Sequence, residues 1–213
     1  MVDETTADVG NKKSMLIKNF DNIWFYPENS TLDIAITPIA DLLNSTSDNN
    51  HRYFFRTIEQ SIIPSSEQLL KFDALENIVF IGYPNGLWDS VNNLPIIRTG
   101  TSASPVYIDY ENEPLFLIDA SVFPGSSGSP VFIYQRGVLF DKKGNISTAN
   151  NIYFLGVLSA VYNASETIPL DFINKSVTPV LNIHEKIDIG VVYKSSVVLD
   201  LVHSFLDEMK LLN

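Results

Sequence analysis

Phe123-Pro124-Gly125-Ser126-Ser127-Gly128-Ser129-Pro130-Val131-Phe132 sets a serine between two glycines and then runs straight into an apolar strand. Gly125 lacks a Cβ, so the chain can turn sharply there and aim its N–H at a developing oxyanion. Ser127 suits the nucleophile, with its own N–H as the second oxyanion donor. Gly128 leaves room beside the hydroxyl, and Pro130 fixes φ where the turn enters the next strand. A Gly/Ser/Pro turn between two strands is the plain alternative. The unbroken fit from Gly125 to Pro130, with apolar strands on both sides, favours the chemical reading.

Taken together, Gly125 to Pro130 resemble the nucleophile turn of trypsin-like serine peptidases. Ile118-Asp119-Ala120-Ser121-Val122-Phe123-Pro124-Gly125 is similar to the strand and loop leading to the serine in HtrA-like and related bacterial members. Val79-Phe80-Ile81-Gly82-Tyr83-Pro84-Asn85-Gly86 resembles the strand and turn that open the second barrel of that group. Tyr153-Phe154-Leu155-Gly156-Val157-Leu158-Ser159-Ala160 resembles the strand that lies beside bound substrate. The resemblance spans about residues 20 to 205 and implies a serine endopeptidase domain acting on peptide or protein substrate. It makes Ser127 the nucleophile, Gly125 and Ser127 the oxyanion donors, and Ser121, Ser159 and Ala160 substrate-binding. Ser121, six positions before the nucleophile, takes the base of the primary specificity pocket and carries no charge. That implies small or apolar side chains before the cut, unless a bulge brings Asp119 into reach. The Gly-x-Ser-x-Gly elbow of α/β-hydrolases does not fit, because Ser129 holds the fifth position and Val131 to Tyr134 continue as a strand.

Leu32-Asp33-Ile34-Ala35-Ile36 matches the pattern that carries the triad aspartate in this family. A lone Asp opening an apolar strand is ordinarily a cap or an edge charge. Ahead of the serine turn, in the family's His…Asp…Ser order, Asp33 becomes the residue that would orient an imidazole and stabilise its cation. The family's histidine precedes the aspartate, and residues 1 to 32 contain none. The chain's three histidines are His51, His184 and His203, each most simply an ordinary surface or core residue. A serine hydroxyl without an adjacent base is a poor nucleophile. Two expectations follow: a peptidase truncated at its N-terminus, inactive as it stands, or a non-catalytic peptide-binding pseudoprotease.

With 213 residues, 45% hydrophobic and 18% charged, the chain can build one substantial core or two small fused barrels. A formal net charge of −11 argues against nucleic-acid binding. No apolar run approaches a membrane span, and the acidic, polar start Met1-Val2-Asp3-Glu4 does not read as a secretory leader, so none is expected. The absence of cysteine excludes disulfide staples and thiol-based metal or redox sites. A cytoplasmic bacterial protein without cofactor or metal is the expectation. No phosphate-binding loop, dinucleotide fingerprint or histidine-rich metal cluster is present.

Along the chain, short strands are expected at Ser14–Ile17, Ile23–Tyr26 and Leu32–Ile36, the last buried and ended by Pro38. Asn44 to Arg52 reads as an exposed loop, and Ser66 to Phe72 as a short capped helix. Further strands are expected at Val79–Gly82, Ile96–Thr101, Pro105–Tyr110, Leu115–Asp119, Val131–Tyr134, Tyr153–Ala160 and Ile189–Lys194, with a hairpin turn at Lys142–Asn145. Val197, Val198, Leu201, Val202, Phe205, Met209 and Leu212 fall at helical spacing after a capping Ser195 or Ser196. The fold expected is all-β: a trypsin-like double β-barrel, the first barrel incomplete, closed by a C-terminal α-helix. Residues 1–75 would be the first-barrel remnant with Asp33, and 76–213 the second barrel with Ser127.

Overall fold

The computed structural model describes residues 16–28, 31–40, 43, 54–140, 144–169 and 180–209, with backbone alone for 139–140, 160–169 and 180–187. Six antiparallel strands close into a barrel: β1 (Asn77–Gly82), β2 (Ile96–Ser102), β3 (Leu115–Asp119), β4 (Pro130–Phe140), β5 (Ile146–Pro169) and β6 (Val180–Lys194). Their spatial order is β1-β2-β3-β6-β5-β4, with β4 returning to β1 through Ile78↔Ile133 and Phe80↔Val131. The seams differ in length: β2 meets β3 through Thr101↔Asp119 and Ser102↔Ile118, whereas β5 and β6 pair along most of their length. The described fold is mostly β, followed by a C-terminal helix. Among the described residues, no helix is long and apolar enough to cross a membrane.

Alternation fills the barrel. Ile78 and Phe80 on β1, Phe116 and Ile118 on β3, Val131 and Ile133 on β4, Leu158 on β5 and Val192 on β6 are all buried inside it. Period-2 patterning puts one face of each strand inward. Phe72 joins the same core, edge-on to Tyr153 at 5.2 Å between ring centroids. It follows α1 (Ser66–Leu69), whose Ser65 and Gln68 form a reciprocal capping box.

Three strands run further than their apolar cores indicate. β4 and β5 stay paired from Pro130↔Val157 to Phe140↔Ile146, and β5 and β6 from Gly156↔Lys194 to Pro169↔Val180. The outer parts of these hairpins, where Val138, Ile146 and Ile152 are exposed, are held by ladder hydrogen bonds rather than by burial. Phe140↔Ile146 places the connection at residues 141–145, where Lys142 and Lys143 lie outside the described residues and Gly144 has φ +81°.

Other expectations shift. Pro105–Tyr110 is a turn, not a strand: Pro105 accepts from Ile108 N–H at 3.1 Å, and Tyr110 bridges Glu113 across a tight corner. Glu111 and Asn112, both at positive φ, make that corner. Neither Ile23–Tyr26 nor Leu32–Ile36 forms a strand. One bridge, Phe25↔Ile36, joins them, and Asp33 is exposed rather than on a buried strand. Ser14, Met15 and residues 44–53 lie outside the described residues. The terminal helix α2 (Ser195–Glu208) takes Lys194 rather than a serine as its N-cap. It buries Val197 and Leu201 against the barrel, and Phe205 meets Phe25 edge-on at 5.4 Å.

Candidate functional site

Between β3 and β4 the chain passes through the serine turn, and its backbone hydrogen bonds alternate. Ser126 N–H donates to Phe123 O at 3.0 Å, Gly128 N–H to Leu158 O at 2.7 Å, and Ser129 N–H to Ser126 O at 3.1 Å. The N–H groups of Gly125 and Ser127 have no partner among the described residues. Two donors left unspent on either side of a buried serine, in an exposed turn, can serve an arriving oxyanion. Gly125 has φ +81°, and a Cβ there would sit 3.3 Å from both Asn85 N and Tyr83 O. Gly128 has φ +82° with open space where its Cβ would be, so backbone handedness is what demands glycine there. Pro130, as the first residue of β4, gives up no ladder donor that an inner position would need.

Ser127 is exposed, and its hydroxyl donates to the Ser159 carbonyl at 2.5 Å. Ser159 is presented by a bulge: Leu158 pairs with Val192 and Ala160 with Val191, which leaves Ser159 out of register. A bulge re-aims one residue of a strand. Here it turns the Ser159 carbonyl to Ser127 and its buried hydroxyl to Asp33, where it donates to Oδ2 at 3.1 Å. Asp33 N–H donates to the Tyr193 hydroxyl at 3.1 Å. The structure thus brings Ser127, Ser159 and Asp33 together, although Asp33 belongs to the segment before the barrel.

Chemically the cluster is incomplete as a proton relay. A carbonyl oxygen is no base for a serine proton, so Ser127 is held but not activated by Ser159. Asp33 is positioned but faces a hydroxyl instead of an imidazole. His203 lies exposed on α2, His51 falls outside the described residues, and His184 is described by its backbone alone. Ala160 continues β5 beside Val191, its side chain likewise outside the described residues. Ser121 and Asp119 are exposed on either side of buried Ala120, as strand alternation requires.

Sequence reasoning missed two residues. Tyr193, at the inner end of β6, reaches the Asp33 backbone. Arg98 on β2 donates from Nη1 to Ser121 O and from Nη2 to Ser126 Oγ, both at 2.8 Å. Burial lowers the Arg98 pKa from its ordinary value. Neither had a readable signal: Ile96 and Ile97 are both apolar, so the sequence does not show which face of β2 Arg98 takes, and the Tyr193 contact depends on where the segment before the barrel docks. No protein-family model, curated protein or solved structure matches this chain.

Proposed function

We propose that this chain is a serine-type endopeptidase domain of the trypsin-like kind, a double barrel whose first half is incomplete, acting on peptide or protein substrate. In this reading Ser127 Oγ attacks the scissile carbonyl, and the Gly125 and Ser127 N–H groups take the charge of the tetrahedral oxyanion. The histidine that Asp33 would orient, to remove the serine proton and return it to the leaving amine, is missing from the stretch before Asp33, so the chain as it stands is inactive in this reading. The peptide lies along Ser159 and Ala160, with its side chain before the cut directed toward Ser121. The observation that carries the reading is the pair of unspent N–H groups flanking Ser126, set beside a bulge that links Ser127 to Asp33.

A second reading is a non-catalytic peptide-binding protein built on the same cleft. It is favoured by the Ser127 hydroxyl donating to a carbonyl rather than to a base. Removal of a triad histidine can cost on the order of 10⁶ in turnover. The test is fluorophosphonate labelling of Ser127 with and without added imidazole. The peptidase reading expects no labelling alone and slow labelling with imidazole that Ser127→Ala abolishes and Asp33→Asn reduces. No labelling in either case, with saturable binding of an extended peptide, would establish the non-catalytic reading. Rapid labelling without imidazole would show that the chain supplies its own base, and His51→Ala would then identify or exclude the first suspect.

A further inference from the structure

The inward face of β2 carries one charge. Ile97 and Thr99 are exposed, while Ile96, Arg98, Gly100 and Ser102 turn toward the barrel. The Arg98 guanidinium lies over the fully buried ring of Phe80, 4.3 Å from its centroid. From that platform its two Nη groups reach the Ser121 carbonyl and the Ser126 hydroxyl. These acceptors bracket the loop ahead of the nucleophile, and Ser126 is the residue next to Ser127. Ser126 itself is fully buried, and its hydroxyl also accepts from Phe123 N–H at 3.4 Å.

A neutral donor could close such a loop. Arg98 instead brings a half-buried cation that has no carboxylate partner among the described residues, and its Nε is buried without a hydrogen-bond partner. Even partial burial of a charge without a counter-ion costs stability. What the guanidinium supplies in return is a rigid planar fork that fixes two acceptors at once, and a positive charge bonded to the neighbour of the nucleophile. Because the Ser126 N–H donates to Phe123 O and its Oγ accepts from Arg98 Nη2 and Phe123 N–H, rotation of the adjacent peptide groups is restrained. That leaves the N–H groups of Gly125 and Ser127, both exposed residues, without a partner among the described residues.

We propose that Arg98, clamped between the Ser121 carbonyl and the Ser126 hydroxyl, is the positioning residue of the serine turn and fixes the Gly125 and Ser127 N–H groups for an anion. Its consequence for catalysis rests on the peptidase reading, whereas the clamp itself does not.

Arg98→Met, Arg98→Lys and Ser126→Ala separate the two. Amide exchange at Ser126 reads the clamp, with Ile78 and Ile133 as barrel controls. The concentration dependence of fluorophosphonate labelling of Ser127 in imidazole reads the oxyanion site. Arg98→Met is expected to speed Ser126 exchange at least tenfold with the controls unchanged. It should also lower the maximal labelling rate at least tenfold at an unchanged half-saturating concentration, with partial recovery in Arg98→Lys. Unchanged Ser126 exchange, or a wild-type labelling rate in Arg98→Met, overturns the proposal. If the wild type never labels while Arg98→Met still frees Ser126, the peptidase reading fails and the clamp stands. If Arg98→Met does not fold, Ser126→Ala decides, since it removes one acceptor and keeps the cation: unchanged exchange at Phe123 and a wild-type labelling rate would overturn the proposal.

Discussion

The Ser159 hydroxyl donates to Asp33 Oδ2 at 3.1 Å, joining residues 126 positions apart. The bulge at Ser159 makes this possible, because a residue kept in register would have its backbone committed to Val191 or Val192. One residue therefore serves two groups: its carbonyl receives Ser127 and its side chain holds Asp33. The link places the segment before the barrel against the serine turn, and the Tyr193 hydroxyl holds the same aspartate from its backbone side.

Removing the Ser159 hydroxyl should loosen Asp33 more than it destabilises the protein. Asp33 is exposed, so the lost bond contributes only about 0.5–1 kcal/mol. Ser159→Ala should shift the urea midpoint slightly at constant slope and speed amide exchange at Asp33. Tyr193→Phe removes the acceptor of that amide and should act on the same site, so the double variant should be less than additive. Full additivity would mean that the two contacts do not hold one element.

The two glycines of the turn should differ in cost. Each has φ near +80°, where an L side chain is disfavoured by about 1–2 kcal/mol. Gly128→Ala meets only that strain. Gly125→Ala adds a Cβ 3.3 Å from two backbone atoms of the Tyr83–Asn85 turn, which also donates from Asn85 N–H to Pro124 O at 2.8 Å. Chemical denaturation should find Gly125→Ala the less stable of the two. The opposite order would show that the turn relaxes away from Asn85.

Much of the barrel was legible, and for a physical reason. Ile78 and Phe80, Phe116 and Ile118, or Val131 and Ile133 alternate with less buried neighbours, and period-2 burial is written directly into residue types. Gly125 to Pro130 were legible because backbone handedness there admits few residues. The hairpin extensions were not, since pairing such as Gln135↔Asn151 depends on register rather than on side-chain polarity. Leu32 to Ile36 misled for the converse reason: an apolar run suits a strand, but a strand also needs partners, and among the described residues only Ile36 has a bridge. The Ser159 bulge and the Arg98 clamp stayed hidden because both arise from tertiary contact with segments distant in sequence.

Core truncation should separate interior from surface sharply. Phe116 is 1% exposed and faces the other strands inside the barrel, so Phe116→Ala should cost about 3–5 kcal/mol. Val91, 75% exposed, should tolerate Val91→Ser with a change within about 0.5 kcal/mol. Urea midpoints of the two variants check this. Comparable losses would mean that Val91 is covered in solution by another surface.

The segment before the barrel should open first. Phe25 and Ile36 exchange two backbone hydrogen bonds, 2.7 and 3.0 Å long, and belong to no longer ladder. Their attachment to the barrel includes the ring contact of Phe25 with Phe205 and the Asp33 bonds to Ser159 and Tyr193. By contrast Ile78 is paired on both sides, to Gly100 and to Ile133, and is fully buried. Few buried contacts and an isolated bridge give a low free energy of local opening, whereas a central barrel strand exchanges only with global unfolding. Native-state hydrogen exchange should therefore find Phe25 and Ile36 amides exchanging well before those of Ile78 and Ile133, with little dependence on denaturant. Arg98→Met should leave that order intact, since its contacts are to β1 and the serine turn. Equal protection of Ile36 and Ile78 would make the whole chain one cooperative unit, and would count against a first barrel that is incomplete.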